Sequence, residues 1–171
     1  MLFRFAGAAA VILGCTGLGF YYAMRDGLRV KELLEFKKAL MILASEIEYM
    51  RQPLAPACGN IARRTEGTTA NFFQNIAANI ETAETAYQSW AAAIATAKPT
   101  SHLAPEDWEA LDGFGKTLGY LDKNMQKSAI GLCIDYIDEK TNQLQTRSDK
   151  NKRMYHSLGA ISGLIITVVL W

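Results

Sequence analysis

Leu33-Leu34-Glu35-Phe36-Lys37-Lys38-Ala39-Leu40-Met41-Ile42-Leu43-Ala44-Ser45-Glu46-Ile47-Glu48-Tyr49-Met50 is the stretch that decides the fold class. Within it Leu33, Phe36, Leu40, Leu43, Ile47 and Met50 recur at alternating steps of three and four. That is the period of one face of an α-helix. Glu32, Glu35, Lys38, Glu46 and Glu48 take the other faces. The pattern predicts a helix over Leu28 to Arg51. Pro53, which lacks an amide hydrogen and crowds the preceding turn, ends it.

The same period continues toward the C-terminus. Pro56 opens a short second helix through Ile61, with Gly67 as its stop. Thr68 or Thr69 caps a third, whose apolar face is Phe73, Ile76 and Ile80, with Phe72 beside it. Thr82 caps a fourth carrying Tyr87, Trp90 and Ile94, closed by Lys98-Pro99. Pro105-Glu106-Asp107 reads as the first turn of a fifth, with proline pre-set and acids at the positive end of the helix dipole. Trp108, Leu111, Phe114 and Leu118 continue it to a stop at Gly119. Asp122 caps a long last helix with Ala129, Leu132, Cys133, Tyr136 and Leu144 inward. No alternating β-branched run competes, and Asp112-Gly113 lies inside a helical pattern. The expected fold is all-α, an antiparallel bundle of about six helices joined by short loops.

Two greasy ends flank this bundle. Phe5 to Met24 holds no Asp, Glu, Lys or Arg, and Met154 to Trp171 holds none either, only His156. About 20 helical residues span ~30 Å, the thickness of a bilayer core. Residues 1–24 and 154–171 are therefore expected to be transmembrane helices bracketing a domain at 25–153. The first run is longer than a signal-peptide core, and Tyr21-Tyr22-Ala23 is a poor cleavage site. Ile12-Leu13-Gly14-Cys15 puts a bulky Leu before the Gly of a would-be lipidation box. The second run is strongly apolar only from Leu158, so it spans with Met154 to Ser157 partly buried or with the bilayer locally thinned; a short hairpin-like insertion is the alternative.

Orientation follows from the basic flanks. Arg25, Arg29 and Lys31 follow the first run, and Arg147, Lys150, Lys152 and Arg153 precede the second. Both positive flanks face the central domain, which places it on the cytoplasmic side. Gly159 and Gly163 form a small-xxx-small pair of the type that lets membrane helices approach closely.

Composition excludes several classes. The formal net charge is +1, too small for bulk-charge affinity to nucleic acid. The cysteines, Cys15, Cys58 and Cys133, are odd in number and far apart, and the histidines are His102 and His156. No metal-ligand spacing, phosphate-binding loop or dinucleotide fingerprint is present, so no cofactor and no metal are expected. Asp135, Asp138 and Glu139 share a helix face, but with Lys140 beside them they read as a solvated face. No nucleophile has a base placed beside it by sequence, and no enzyme is expected.

Three motifs carry a resemblance. Leu40 to Tyr49 followed by Pro53-Leu54, then Phe114-Gly115-Lys116-Thr117-Leu118-Gly119 with Asp122 and Gln126, then Ser157-Leu158-Gly159 before an apolar tail, together resemble the stage III sporulation protein AB family over essentially the whole chain. The resemblance implies a non-enzymatic scaffold in the channel-like complex joining mother cell and forespore, required for endospore formation. It implies a domain similar to the cytoplasmic domains of F-type platform proteins of type II secretion and type IV pilus systems. It also implies a secretion-type ATPase, the stage III sporulation protein AA, and other membrane subunits as partners. The location implied is the mother-cell membrane around the forespore, with the domain in the cytoplasm. Platform proteins carry two such domains and this chain has one, so a homo-oligomer is a further expectation. A platform subunit of a non-sporulation secretion or pilus system is the alternative. Glu46, Tyr49, Arg51, Pro53 and Leu54 are the candidate partner contacts; Glu46 and Tyr49, a turn apart, form either a partner-facing patch or a buried hydrogen-bonded pair. Gly115 and Gly119 are expected to permit close helix approach and a turn.

Overall fold

The computed structural model describes residues 2–50, 53–118 and 125–147, with side chains described at 24–48, 53–118 and 125–147. Among these are six α-helices and no strand. They are α1 (Leu2–Ser45), α2 (Leu54–Arg64), α3 (Gly67–Asn79), α4 (Ala86–Ala97), α5 (Pro105–Gly115) and α6 (125–147). Two compact units emerge, and the one spanning Gly27–Thr141 holds the core. The expected span at 1–24 has a described side chain only at Met24, and the span at 154–171, with Gly159 and Gly163, lies outside the described residues. Among the described residues no helix is long and apolar enough to cross a membrane.

α1 buries the face its spacing predicts. Leu33, Phe36, Ala39, Leu40 and Leu43 are all buried. The α-helical register ends at Ser45 and winds on as a π-turn over Glu46–Met50. Widening one turn lets Glu46 swing inward while Glu48 stays exposed. A 3.6-residue pattern carries no sign of this change.

Turn chemistry moves several boundaries. α2 starts at Leu54, after Pro53 as N-cap, rather than at Pro56. It stops at Thr65, which is extended (φ −119°, ψ 171°) and donates its hydroxyl back to the Ile61 carbonyl at 2.9 Å. Gly67 is not that stop: it is the first residue of α3, at φ +61°, a left-handed conformation that costs a side-chain-bearing residue about 1–2 kcal/mol. Glu66, not Thr68 or Thr69, is the N-cap of α3. Thr85, not Thr82, caps α4, accepting from the Gln88 amide at 3.2 Å. α5 begins at Pro105 as expected but ends at Gly115; Gly119 and Asp122 lie outside the described residues.

The core is an aromatic cluster. Phe72 stands edge-on to Trp90 (4.9 Å between ring centroids) and to Phe36 (5.5 Å), and Phe36 meets Trp108 (5.8 Å). Trp90 also meets Phe114 at 5.2 Å. Edge-to-face contact sets the positive ring edge against the negative face, worth roughly 0.5–1.5 kcal/mol per pair beyond burial. The cluster joins α1, α3, α4 and α5. The Trp90 indole N–H donates to the Leu111 carbonyl at 2.9 Å, whereas the buried indole nitrogen of Trp108 has no hydrogen-bond partner.

α6 keeps Cys133 and Leu144 inward as expected, but the rest of its buried face differs. Ile130, Cys133, Ile137, Thr141 and Leu144 are buried. Leu132 is 71% exposed, while Ala129 and Tyr136 are only partly buried. Ala129 to Cys133 offers apolar side chains on neighbouring phases, and the helices already placed select Ile130 and Ile137. Lys37–Asp138 (2.6 Å) and Lys127–Glu48 (2.8 Å) tie α6 antiparallel to α1.

Candidate functional site

The proposed contact residues lie where α1 turns into α2. Glu46 is only 5% exposed. Its Oε1 accepts from Asn60 Nδ2 of α2 at 2.5 Å, while Oε2 is buried with no hydrogen-bond partner. Asn60 therefore clamps the π-turn onto α2. Pro53 is exposed and Leu54 half-buried. Arg51 and the Tyr49 side chain lie outside the described residues. Glu48, bridged to Lys127, is the exposed acid of this corner.

A second cluster is not visible in the sequence. Asp107 is 1% exposed, at the start of α5. Its Oδ2 accepts from Arg29 Nε at 2.7 Å and from the Ala104 amide at 2.9 Å. Its Oδ1 accepts from Arg29 Nη2 and from the Tyr136 hydroxyl, both at 2.9 Å. Glu106 adds a 3.2 Å bond from Arg29 and a 3.6 Å pair with Lys140. One carboxylate thus joins α1, the start of α5 and α6. Burial works against the Arg29 cation, but the hydrogen bonds and charge of Asp107 outweigh it and raise its pKa further. Burial, reinforced by the bond to Asp107, pushes the Tyr136 phenol well above its usual range. A bidentate Arg–carboxylate contact is among the strongest polar contacts available to a chain. The sequence carries part of the signal: Asp107 sits at the third position of a helix opened by proline, where its carboxylate can reach back to the preceding amide.

Ser101, His102 and Glu32 come together but in an arrangement unsuited to nucleophilic catalysis. Ser101 Oγ donates to Glu32 Oε1 at 2.7 Å, and the His102 amide donates to Glu32 Oε2 at 2.8 Å. The His102 ring nitrogen Nδ1 lies 3.4 Å from the same oxygen. A nucleophile needs its proton taken by a base. Here the serine proton goes to a carboxylate that also accepts from the His102 amide, and the Ser101 oxygen accepts from the Leu103 amide at 2.9 Å. The set fastens the loop before α5 to α1. Beside it lies a groove of about 240 Å³ bordered by Lys31, Glu35 and the start of α3. Burial pushes the Cys58 and Cys133 thiols up to about 12, which keeps them un-ionised and poor nucleophiles at neutral pH. Among the described residues no group of His, Cys, Asp or Glu could hold a metal ion.

In the motif that starts at Phe114, Gly115 serves packing. A Cβ on Gly115 would stand 2.1 Å from Trp90 Cδ1 and 2.5 Å from its Nε1. Gly115 is there because α5 passes against the flat of the indole, as the expectation of close helix approach requires.

Comparisons with known proteins agree on one family. The profile of the stage III sporulation protein AB family matches residues 4–171. Stage III sporulation protein AB of Bacillus subtilis (strain 168) is 25% identical over 170 residues, which cover 99% of each chain. A solved structure of a stage III sporulation protein AB superposes with a TM-score of 0.67 at 23% identity, covering 71% of this chain and 97% of that one. That likeness bears on the fold.

Proposed function

The chain belongs to the stage III sporulation protein AB family, and on that premise we propose that it is a non-enzymatic, membrane-anchored scaffold of the mother cell–forespore channel complex that docks a secretion-type ATPase. A role in sporulation follows from the family match itself, which runs from residue 4 to residue 171. That end-to-end match is the observation that carries the reading, because it includes both apolar ends as well as the bundle. The uncharged run from Phe5 to Met24 and the run from Met154 favour two anchors, and the basic flanks favour a cytoplasmic domain. The use of polar side chains supports a scaffold: Asp107, Glu32 and Glu46 each tie one element to another. The corner at Arg51, Pro53 and Leu54 is offered as the ATPase contact.

Binding of the full chain, reconstituted in nanodiscs, to the stage III sporulation protein AA ATPase of the same organism tests this reading. The expected result is saturable binding, weakened when Arg51→Ala and Pro53→Ala are combined. No binding at high-micromolar ATPase, with a helical sample, would overturn the docking role.

A further inference from the structure

A groove of about 310 Å³ runs between α5 and α6. Ala110, Phe114 and Thr117 border it on one side, and Ala129, Leu132 and Tyr136 on the other. Both sets are spaced by three and four residues, the step of neighbours on one helix face. The Cys133 thiol lies 4.0 Å from the Ala110 carbonyl, and the Tyr136 hydroxyl 2.9 Å from Asp107. The two helices therefore run antiparallel, with residue 110 level with 133 and residue 107 level with 136. Gly113 adds no side chain to the α5 border, and a Cβ there would meet nothing within 4 Å.

The hydroxyls that border the groove already have partners. Tyr136 donates to Asp107 at 2.9 Å, and Thr117 donates to the Phe114 carbonyl at 2.7 Å. What the groove offers is therefore apolar. Phe114 is buried at its base, whereas Leu132 stands 71% exposed, the most exposed large apolar side chain among the described residues. The rim is acidic. Glu109 lies between the levels of residues 136 and 133, which sets it across from Asp135, and both are exposed. Neither makes an ion pair among the described residues. The nearby cations are taken: Lys116 pairs with Asp112 at 2.7 Å, and Lys140 with Glu106 at 3.6 Å.

We infer that this groove docks a helix of another protein, one whose apolar stripe is flanked by lysine or arginine. Spacing sets the form of the occupant. Ala110 to Thr117 spans about 10 Å, or two helical turns, which suits apolar anchors at i, i+3 or i+4, and i+7. A helix laid between two others buries its stripe against both, and it covers Leu132 as it does so. Charge sets the flank. Glu109 and Asp135 attract a basic helix and repel an acidic one, and the same acids disfavour an anionic bilayer surface. The groove shares no residue with the α1–α2 corner offered as the ATPase contact, so it stands independently of that reading.

The test uses the full chain in phosphatidylcholine nanodiscs and a fluorescent peptide of leucine and lysine, about five helical turns long, with its leucines at steps of three and four. A second peptide carries glutamate in place of every lysine. Anisotropy is followed as the chain is added, with empty nanodiscs as the blank and helicity checked for every variant. The leucine–lysine peptide is expected to bind saturably in the micromolar range, and the leucine–glutamate peptide about tenfold more weakly or not at all. Leu132→Asp, at an exposed position that the fold does not need, is expected to weaken the first peptide by about tenfold. Glu109→Lys combined with Asp135→Lys reverses the preference between the two peptides. No binding of the leucine–lysine peptide at high-micromolar chain overturns the inference. So does equal binding by Leu132→Asp, or a charge reversal that leaves the preference unchanged. Self-association of the chain alone, seen by sedimentation and lost in Leu132→Asp, would give the groove to a second copy and overturn it as well.

Discussion

Asp107→Ala is expected to lower the stability of the domain by about 3 kcal/mol or more, since removing one partner of a buried ion pair strands the other. The carboxylate is 1% exposed and receives four hydrogen bonds, two from Arg29 and one each from Tyr136 and the Ala104 amide. Alanine strips all of them. Arg29, largely buried, keeps only its 3.2 Å contact with Glu106. The Ala104 amide at the mouth of α5 loses its acceptor, and Tyr136 on α6 loses its anchor. Thermal unfolding of the full chain checks this, with Tm expected to fall by about 10 °C. Asp107→Asn keeps one acceptor oxygen and falls between the two. Arg29→Ala is expected to cost nearly as much, and the double variant much less than the sum, as for residues sharing one network. Simple additivity would mean that the two residues act separately, against their geometry.

Gly115→Ala is the second large effect, and it runs opposite to helix propensity. On propensity alone the change gains about 0.8–1.0 kcal/mol inside a helix. The added methyl would sit 2.1 Å from Trp90 Cδ1, well inside contact distance. The indole has nowhere to go. It is fully buried, hydrogen-bonded to the Leu111 carbonyl, and wedged against Phe72, Phe73 and Phe114. Overpacking of this kind costs about 1–3 kcal/mol, occasionally more, and a rigid ring puts this site at the upper end. The discriminating variant combines Trp90→Phe with Gly115→Ala. A smaller ring makes room, so the methyl is expected to cost less in the Trp90→Phe background than in the native one. Equal cost in both backgrounds would put the role of Gly115 in its backbone, although the left-handed glycine among the described residues is Gly67.

The helices themselves are legible because burial on one face leaves a periodic trace. Leu33, Phe36, Leu40 and Leu43 are all at 1% exposure or less, as their spacing requires. Pro105 fixes the start of α5 for a local reason, its preset φ. What the chain does not encode locally stays hidden. The phase of α6 depends on which neighbours are present, so periodicity puts Leu132 inside where the structure puts Ile130 and Ile137. Thr82 and Thr85 are the same residue type, so type alone cannot pick the cap of α4, and the structure has Thr85 there. Asp107 reads as an ordinary first-turn acid until Arg29, 78 residues earlier, is seen to meet it. For the candidate contact corner, spacing places Glu46 beside Tyr49, while the described partner is Asn60 of α2. A π-turn at Glu46–Met50 displaces the side chains from their α-helical positions, and no residue type announces such a turn.

The proposed scaffold role in sporulation requires the chain to act as an anchored whole. The most direct measurement is the count of heat-resistant spores formed by a host strain lacking this chain, complemented with either the full chain or a version without residues 1–24. The deletion is expected to reduce the count to that of a non-sporulating control, the full chain to restore it, and the unanchored version to leave it low. A normal spore count in the deletion strain would contradict the proposed role outright, and full rescue by the unanchored version would contradict the membrane scaffold.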